Sequence, residues 1–283
     1  MHKKQVSRIR LFVQIGFFLL IAVIAVSHSL EESGIHIPLL SSASLHSVCP
    51  FGGVVSTYQF FTAGTFVKKV HESSFILMWI VFALALLVGP AFCGWVCPMG
   101  SIQEWFGKLG RKLFGRRYNR FIPYKYDRIL RFLRYGMLVW VLVMTIGSGQ
   151  LFFQDIDPYF ALFNFWTSEV AISGIVVLLV VLGLSLLVER PFCKYACPYG
   201  ALLGIFNLFR IFAIRRNPAT CINCKACDKS CPMNIPLSGS TGRVRHHQCI
   251  SCLKCTSEQA CPVDNTMELA AGKMKEATDG KTE

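Results

Sequence analysis

The chain has 283 residues, 53% of them hydrophobic and only 16% charged, and its mean hydropathy is +0.47. A soluble globular chain is about 25% charged, so this balance excludes both an ordinary soluble enzyme and a disordered chain. Against the apolar background stand 29 Lys and Arg, 16 Asp and Glu, a formal net charge of +13, and 13 cysteines.

In chain order, a basic stretch Met1–Arg10 leads into an apolar run over Leu11–Leu30. Further runs cover Ser74–Phe92, Phe132–Gly149 (with Arg134 near its start) and Val170–Val188. Crossing a bilayer takes about 20 mostly apolar residues, so the pattern predicts four transmembrane helices. The first run is long for a signal peptide, and Val26-Ser27-His28-Ser29 is a poor cleavage site.

The basic residues orient these spans. Four of them lie in Met1–Arg10, ten between Lys108 and Arg134, and thirteen from Arg190 onward. The loops His28–Ser73 and Gly147–Glu169 carry almost none and hold Glu31, Glu32, Glu72, Asp155, Asp157 and Glu169 instead. The positive-inside rule then puts both termini and the middle loop in the cytoplasm. The charge therefore reads as topology plus attraction to anionic membrane lipid. A nucleic-acid partner is not expected, because the cations flank spans rather than fill a soluble basic domain.

The chain also repeats itself. Phe92-Cys93-Gly94-Trp95-Val96-Cys97-Pro98-Met99-Gly100 recurs 100 residues later as Phe192-Cys193-Lys194-Tyr195-Ala196-Cys197-Pro198-Tyr199-Gly200. Each copy closes an even-numbered span and precedes an amphipathic stretch, Met99–Phe114 or Tyr199–Ile214, expected to lie at the interface. The membrane part, residues 1–216, thus holds a duplicated two-helix repeat, 11–114 and 132–214, with parallel copies. If each motif stays helical, Cys93 and Cys97 share a face, as do Cys193 and Cys197, and the following proline bends or ends the helix. The four thiols are candidate ligands of a further iron–sulfur cluster or another metal. Small buried apolar packing is the alternative.

After Pro218 the chain changes character. Cys221, Cys224, Cys227 and Cys231-Pro232 form C-x2-C-x2-C-x3-C-P, the bacterial ferredoxin signature. Cys249, Cys252, Cys255 and Cys261-Pro262 repeat it with five residues before the last cysteine. In a two-cluster ferredoxin the fourth cysteine of each run serves the other cluster. One 4Fe–4S cluster is therefore assigned to Cys221, Cys224, Cys227 and Cys261, the other to Cys249, Cys252, Cys255 and Cys231. Zinc is the rival, but it prefers pairs of ligands, and disulfides do not suit a cytosolic domain. Residues 217–266 are read as a small α+β ferredoxin-like domain and 267–283 as a polar tail.

Some features stay outside this frame. Cys49, in the first outer loop, reads as an isolated thiol in a turn; ligation with His46 or His28 has no support in the pattern. The aromatic stretches Phe51–Phe66 and Leu151–Trp166 read as interfacial belts, with a quinone pocket as the alternative. His246-His247 read as a solvated loop rather than a metal site. Lys225, Lys229, Arg243, Arg245 and Lys254 are candidates for a basic face that docks an acidic redox partner, a solvated surface being the alternative. No phosphate-binding glycine loop appears, so NAD or ATP is not indicated. No acid–base or nucleophilic set stands out, and the residues leave open whether the chain is a subunit of an oxidoreductase.

With these motifs in place, the chain resembles the NapH/YccM-type membrane polyferredoxins, a group related to MauN and to the membrane parts of NosR and CcoG. The resemblance rests on four spans, Phe92–Gly100 and Phe192–Gly200, and the cysteine runs Cys221–Pro232 and Cys249–Pro262. The loop at Cys49-Pro50-Phe51-Gly52-Gly53 departs from the NapH pattern. The resemblance implies an α-helical integral protein of the cytoplasmic membrane with two 4Fe–4S clusters, relaying electrons between a membrane donor, quinol, and a partner protein. It leaves two other classes in view: a copper reductase or metallocentre assembly factor of CcoG type, and a redox-sensing regulator of NosR type.

Overall fold

The computed structural model describes residues 3–32, 72–148, 156–165 and 170–271. Cys49, His28 and His46, and most of the two aromatic loops, lie outside the residues whose side chains are described.

The described chain is mostly helical, with one small sheet. Helix α1 (Lys3–Glu32) is followed by α2 (Glu72–Val88), the short α3 (Ala91–Trp95) and α4 (Pro98–Phe114). Then come α5 (Tyr124–Leu130), α6 (Leu133–Ser148), α7 (Pro158–Asn164), α8 (Ile172–Ser185) and α9 (Pro198–Phe206). Among the described residues, only Val6–Ser27 of α1 is long and apolar enough to cross a membrane by length and composition; Ile76–Val88 and Ile172–Ser185 are apolar but shorter.

The ends of these helices follow from their residues. Helix α2 stops at Gly89, whose φ of +87° suits a residue without Cβ, and Pro90 follows. Helix α4 starts on Pro98 at its first turn and ends at Gly115 (φ +52°), with Arg111 and Lys112 in the last turn where the helix dipole favours cations. Asp157 caps α7 by accepting a hydrogen bond from the Tyr159 amide at 3.0 Å.

The duplication is visible in the packing. Helix α1 lies against α3 and α4, and α6 lies in the same way against the Phe192–Ala196 turn and α9. The copies also exchange partners: α4 packs on α8, the apolar helix of the second copy, and α9 packs on α2, that of the first. The shared core includes Val81, Ala85, Met99, Val141, Leu178, Val181, Ala201 and Leu203.

The stretch after Cys197 differs from the interfacial helix expected of it. In α9, Ala201 and Leu203 are wholly buried, and its polar end turns to the C-terminal domain rather than to lipid. Asn207 Nδ2 donates to the His246 and Cys249 carbonyls at 2.7 and 3.1 Å, and Arg210 donates to the Val244 carbonyl at 2.6 Å.

The C-terminal domain is also longer at both ends than the cysteine runs suggested. Strand β1 (Ala213–Arg216) pairs antiparallel with β2 (Gly242–Arg243) on one side and β3 (Met267–Ala270) on the other, in the order β2-β1-β3. The end assigned to the membrane part and the start of the supposed tail are therefore its two sheet partners, with Arg216 opposite Met267. The Ile211 and Phe212 amides bond to the Leu86 and Leu87 carbonyls at 2.9 and 2.8 Å, fixing this domain to the end of α2.

Candidate iron–sulfur sites

Two small cavities in the C-terminal domain are walled by cysteines. Cys221, Cys224, Cys227 and Cys261 line one. Cys231, Cys249, Cys252 and Cys255 line the other, together with Ile214, Met233, Ile235, Leu237 and Ile250. The structure thus groups the eight cysteines in the crossed sets assigned from their spacing. The two loops share a backbone: Asn223 and Lys225 flank Cys224 with φ of 55° and 54°, and Ser251 and Leu253 flank Cys252 with φ of 48° and 56°. Left-handed conformations at four non-glycine residues are unfavourable one by one. Their repetition shows one left-handed backbone pattern used in both loops. A hydrogen bond from the Asn223 amide, aided by Arg216, lowers the Cys221 thiol pKa, and Arg210 Nη1 stands 3.5 Å from Cys249 Sγ.

The paired motifs meet in a third place. The helix expected through each motif breaks, because Cys97 and Cys197 are not helical. They cap the helices that follow, with ψ of 116° and 112°, and Pro98 and Pro198 start those helices instead of ending the ones before. In both copies the second cysteine's amide reaches back five residues, Cys97 to Phe92 and Cys197 to Phe192, each at 2.9 Å. This wide turn leaves the thiols of both copies facing one another. Burial pushes the Cys93, Cys97 and Cys197 thiols up, Cys97 to about 12, and charge on neighbouring sulfurs of the set raises them further. Burial raises the Cys193 thiol as well, against the pull of Arg190. Gln103 Nε2 lies 3.7 Å from Cys193 Sγ.

Burial therefore keeps these four thiols protonated unless a bound metal centre takes them as thiolates. Among the described residues, no three His, Cys, Asp or Glu side chains close on a point that would hold a single ion. The ferredoxin cysteines surround apolar cavities instead, and this arrangement fits a cluster of several irons better than zinc, whose ligands converge on one atom at about 2.0–2.3 Å.

The third set touches the second cavity. Cys93 packs against the core that contains Cys231, Cys249, Cys252 and Cys255. Trp95 Nε1 donates to the Ser251 carbonyl at 3.1 Å. Gly94 has no room for a side chain, since a Cβ there would lie 2.5 Å from the Ile250 carbonyl oxygen.

Charges between these sites went unread in the sequence. Glu104 of α4 pairs with Arg10, with Arg190 at 2.7 Å and with Lys254 at 3.1 Å. Glu189 pairs with Arg111 at 2.7 Å and Lys254 at 2.6 Å. Burial opposes ionisation of Glu104, but Arg190, Lys254 and Arg10 together hold its carboxyl far below the usual range. Arg190 is fully buried and donates to the Cys93 carbonyl at 2.6 Å. A second network joins Asp127 to Arg131 and Tyr195, and to Lys194 at 2.7 Å.

Two expectations change accordingly. Lys254 is held inside the Glu104–Glu189 network and is no part of a docking face; Lys225, Lys229 and Arg245 remain exposed, and Arg243 is half-buried and bonds to the Ala271 carbonyl at 2.8 Å. His246 and His247 are no solvated loop. They stack at 4.6 Å, half-buried, with His247 against Phe132 and Tyr135. Burial lowers both to about 4, so both are neutral at pH 7.

A family model described as a 4Fe-4S binding domain matches residues 70–117 and 170–217. It falls on the two copies of the repeat, each centred on a C-x3-C-P motif. The chain belongs to the NapH/YccM-type polyferredoxins. It is 31% identical to the electron transport protein YccM of Escherichia coli over 79% of this chain, and spans 63% of that relative's length. It is 33% identical to an uncharacterized protein of Methanocaldococcus jannaschii over 63% of this chain and 72% of the relative. It is 34% identical to the ferredoxin-type protein NapH of Haemophilus influenzae, over 62% of this chain and 61% of NapH. No solved structure matches the chain. The match to a 4Fe-4S binding domain supports iron–sulfur clusters in this protein.

Proposed function

We propose that this polyferredoxin is an integral protein of the cytoplasmic membrane that passes single electrons between quinol in the bilayer and a redox partner protein at the cytoplasmic face. The observation that carries this reading is the row formed by the three cysteine sets. Cys93, Cys97, Cys193 and Cys197 sit in the helical body, and Cys93 abuts the set of Cys231, Cys249, Cys252 and Cys255. The set of Cys221, Cys224, Cys227 and Cys261 comes last, with Cys224 and its neighbour Ile222 exposed at the surface.

Bound at these sets, iron–sulfur clusters supply reversible one-electron chemistry. The chain's own residues provide the setting. The apolar wall of the second cavity excludes water, and Arg190, Arg210 and Arg216 place buried positive charge beside thiolates. Lys225, next to Cys224 in the chain, and Arg245 are exposed cations that an acidic partner could meet.

The membrane reading is supported by the outer faces of the helices. Phe12, Leu19, Leu20 and Val23 of α1 are exposed, as are Ile76, Trp79 and Ile80 of α2. Val139 and Val143 of α6, and Ile172, Val176, Leu179 and Val180 of α8, complete the belt. Apolar exposure on four helices is far more than a soluble monomer tolerates, and the placement of the basic segments supports both termini and the ferredoxin domain lying inside.

Iron and sulfide counts with redox-titrated EPR on anaerobically purified protein test the reading. About twelve irons per chain are expected if all three sets hold four-iron clusters, and about eight if the helical set holds none. Four or fewer would overturn it. Reduction of the EPR signals by a soluble quinol analogue in proteoliposomes tests the donor.

A further inference from the structure

A cleft of about 630 Å³ opens where α1, α4 and the C-terminal domain meet. It belongs to none of the cysteine sets, although Cys252 touches its inner wall. Two acidic side chains line it, Glu104 and Glu189, and both are already held by Arg10, Arg111, Arg190 and Lys254. Lys108, Lys112 and Lys229 also line it, are exposed, and make no ion pair among the described residues. Three cations thus face a cleft whose own carboxylates are committed elsewhere, and an external anion is the missing partner.

The rest of the wall says what kind of anion. Helix α1 contributes Val6, Arg10 and Gln14, positions that share one helical face, and Leu11 beside them. This is the stretch where the basic end gives way to the apolar run. From Leu11 the exposed surface continues through Phe12, 75% exposed, and Ile15. Leu109 and Leu113, which follow Lys108 and Lys112 in α4, are exposed outside the cleft. The cleft therefore has a cationic mouth that opens onto an apolar flank. A free phosphate satisfies only the mouth; a phosphate that carries acyl chains satisfies both.

We propose that this cleft binds the phosphate headgroup of an anionic phospholipid, with its acyl chains along α1 and α4. The inference rests on the membrane reading given above. A headgroup there joins α1, α4 and the C-terminal domain through Lys108, Lys112 and Lys229, next to the loop that carries Cys252.

Native mass spectrometry of the holo-protein, delipidated in detergent and titrated with dioctanoyl phosphatidylglycerol, phosphatidylcholine or inorganic phosphate, tests this. The wild type should bind one phosphatidylglycerol more tightly than phosphatidylcholine, and millimolar inorganic phosphate should not displace it. Each lysine beside an anionic headgroup is worth about fivefold in affinity, so the triple variant K108Q/K112Q/K229Q should bind phosphatidylglycerol at least about tenfold more weakly with unchanged iron content. Equal binding by wild type and variant, or equal binding of the two lipids, overturns the proposal. Displacement by inorganic phosphate overturns it in favour of a plain anion site. Recovery of the wild type in the soluble fraction without detergent would instead overturn the membrane reading itself.

Discussion

The two copies of the repeat share one turn at their cysteines and do different work. Both carry the five-residue amide bond and the capping cysteine before a proline. Yet the first copy has Gly94-Trp95 between its cysteines and the second has Lys194-Tyr195. Gly94 lets the Ile250–Cys252 loop press onto the backbone, and Trp95 bonds to that loop. Lys194 and Tyr195 turn instead to Asp127 of α5, just ahead of the second copy. These two side chains thus direct the first motif to the Ile250–Cys252 loop and the second to Asp127, while Asn207 and Arg210, further along the second copy, also bond to the C-terminal domain. What duplication kept is the thiol geometry; what it released is the pair of residues that chooses a neighbour.

The largest expected effect tests whether the copies share one centre. Cys93→Ser and Cys193→Ser should each lower the iron content by about four atoms per chain, although the residues come from different copies. The eight cysteines of the C-terminal domain are untouched, so its EPR signals should persist. A loss of iron in one variant and none in the other would mean that the copies bind separately, and the shared site would fall.

Next come the two buried carboxylates. Glu104 holds Arg10, Arg190 and Lys254, which come from α1, the second motif's approach and the ferredoxin loop. Asp127 holds Arg131 and Lys194. Breaking a buried pair leaves an unpaired charge and costs about 3–5 kcal/mol. Glu104→Gln leaves Arg10 and Arg190 without a carboxylate and Lys254 with Glu189 alone, so it should be the more damaging, with cluster bleaching on heating at a clearly lower temperature than in Asp127→Asn. The reverse order would show that the second copy, not the first, ties the domains together.

These carboxylates also mark how far the sequence could be read. Cysteine spacing anticipated which cysteines line each of the two cavities, because the spacing within each run is local. The exact duplication of the C-x3-C-P motif carried the repeat for the same reason. The charge network was illegible. Glu104 and Arg190 lie 86 positions apart, and nothing local distinguishes them from charges on a solvated face. Tyr199–Ile214 misled for a related cause. Asn207 and Arg210 look like the polar side of an interfacial helix, but their partners are carbonyls of the C-terminal domain, which only the tertiary fold brings near. The ends of that domain were missed because strands as short as β1 and β3 have no periodicity to detect.

The smallest and sharpest test uses two glycines at matched positions. A Cβ on Gly100 would stand 2.9 Å from Arg190 Nη1 and 3.1 Å from the Cys93 carbonyl oxygen, crowding the bond between them. A Cβ on Gly200 would meet nothing nearer than 3.6 Å. Gly100→Ala should therefore cost about 1–3 kcal/mol through strain in a packed site. Gly200→Ala should be neutral or gain up to about 1 kcal/mol, because alanine is the better helix former. Both can be read as shifts in the thermal midpoint of cluster loss. The asymmetry comes from Arg190, which reaches into the first copy, whereas the corresponding space beside Gly200 is left open. Equal effects at the two positions would mean that the Arg190–Cys93 contact does not constrain the first motif, and that the two copies are more alike than their packing suggests.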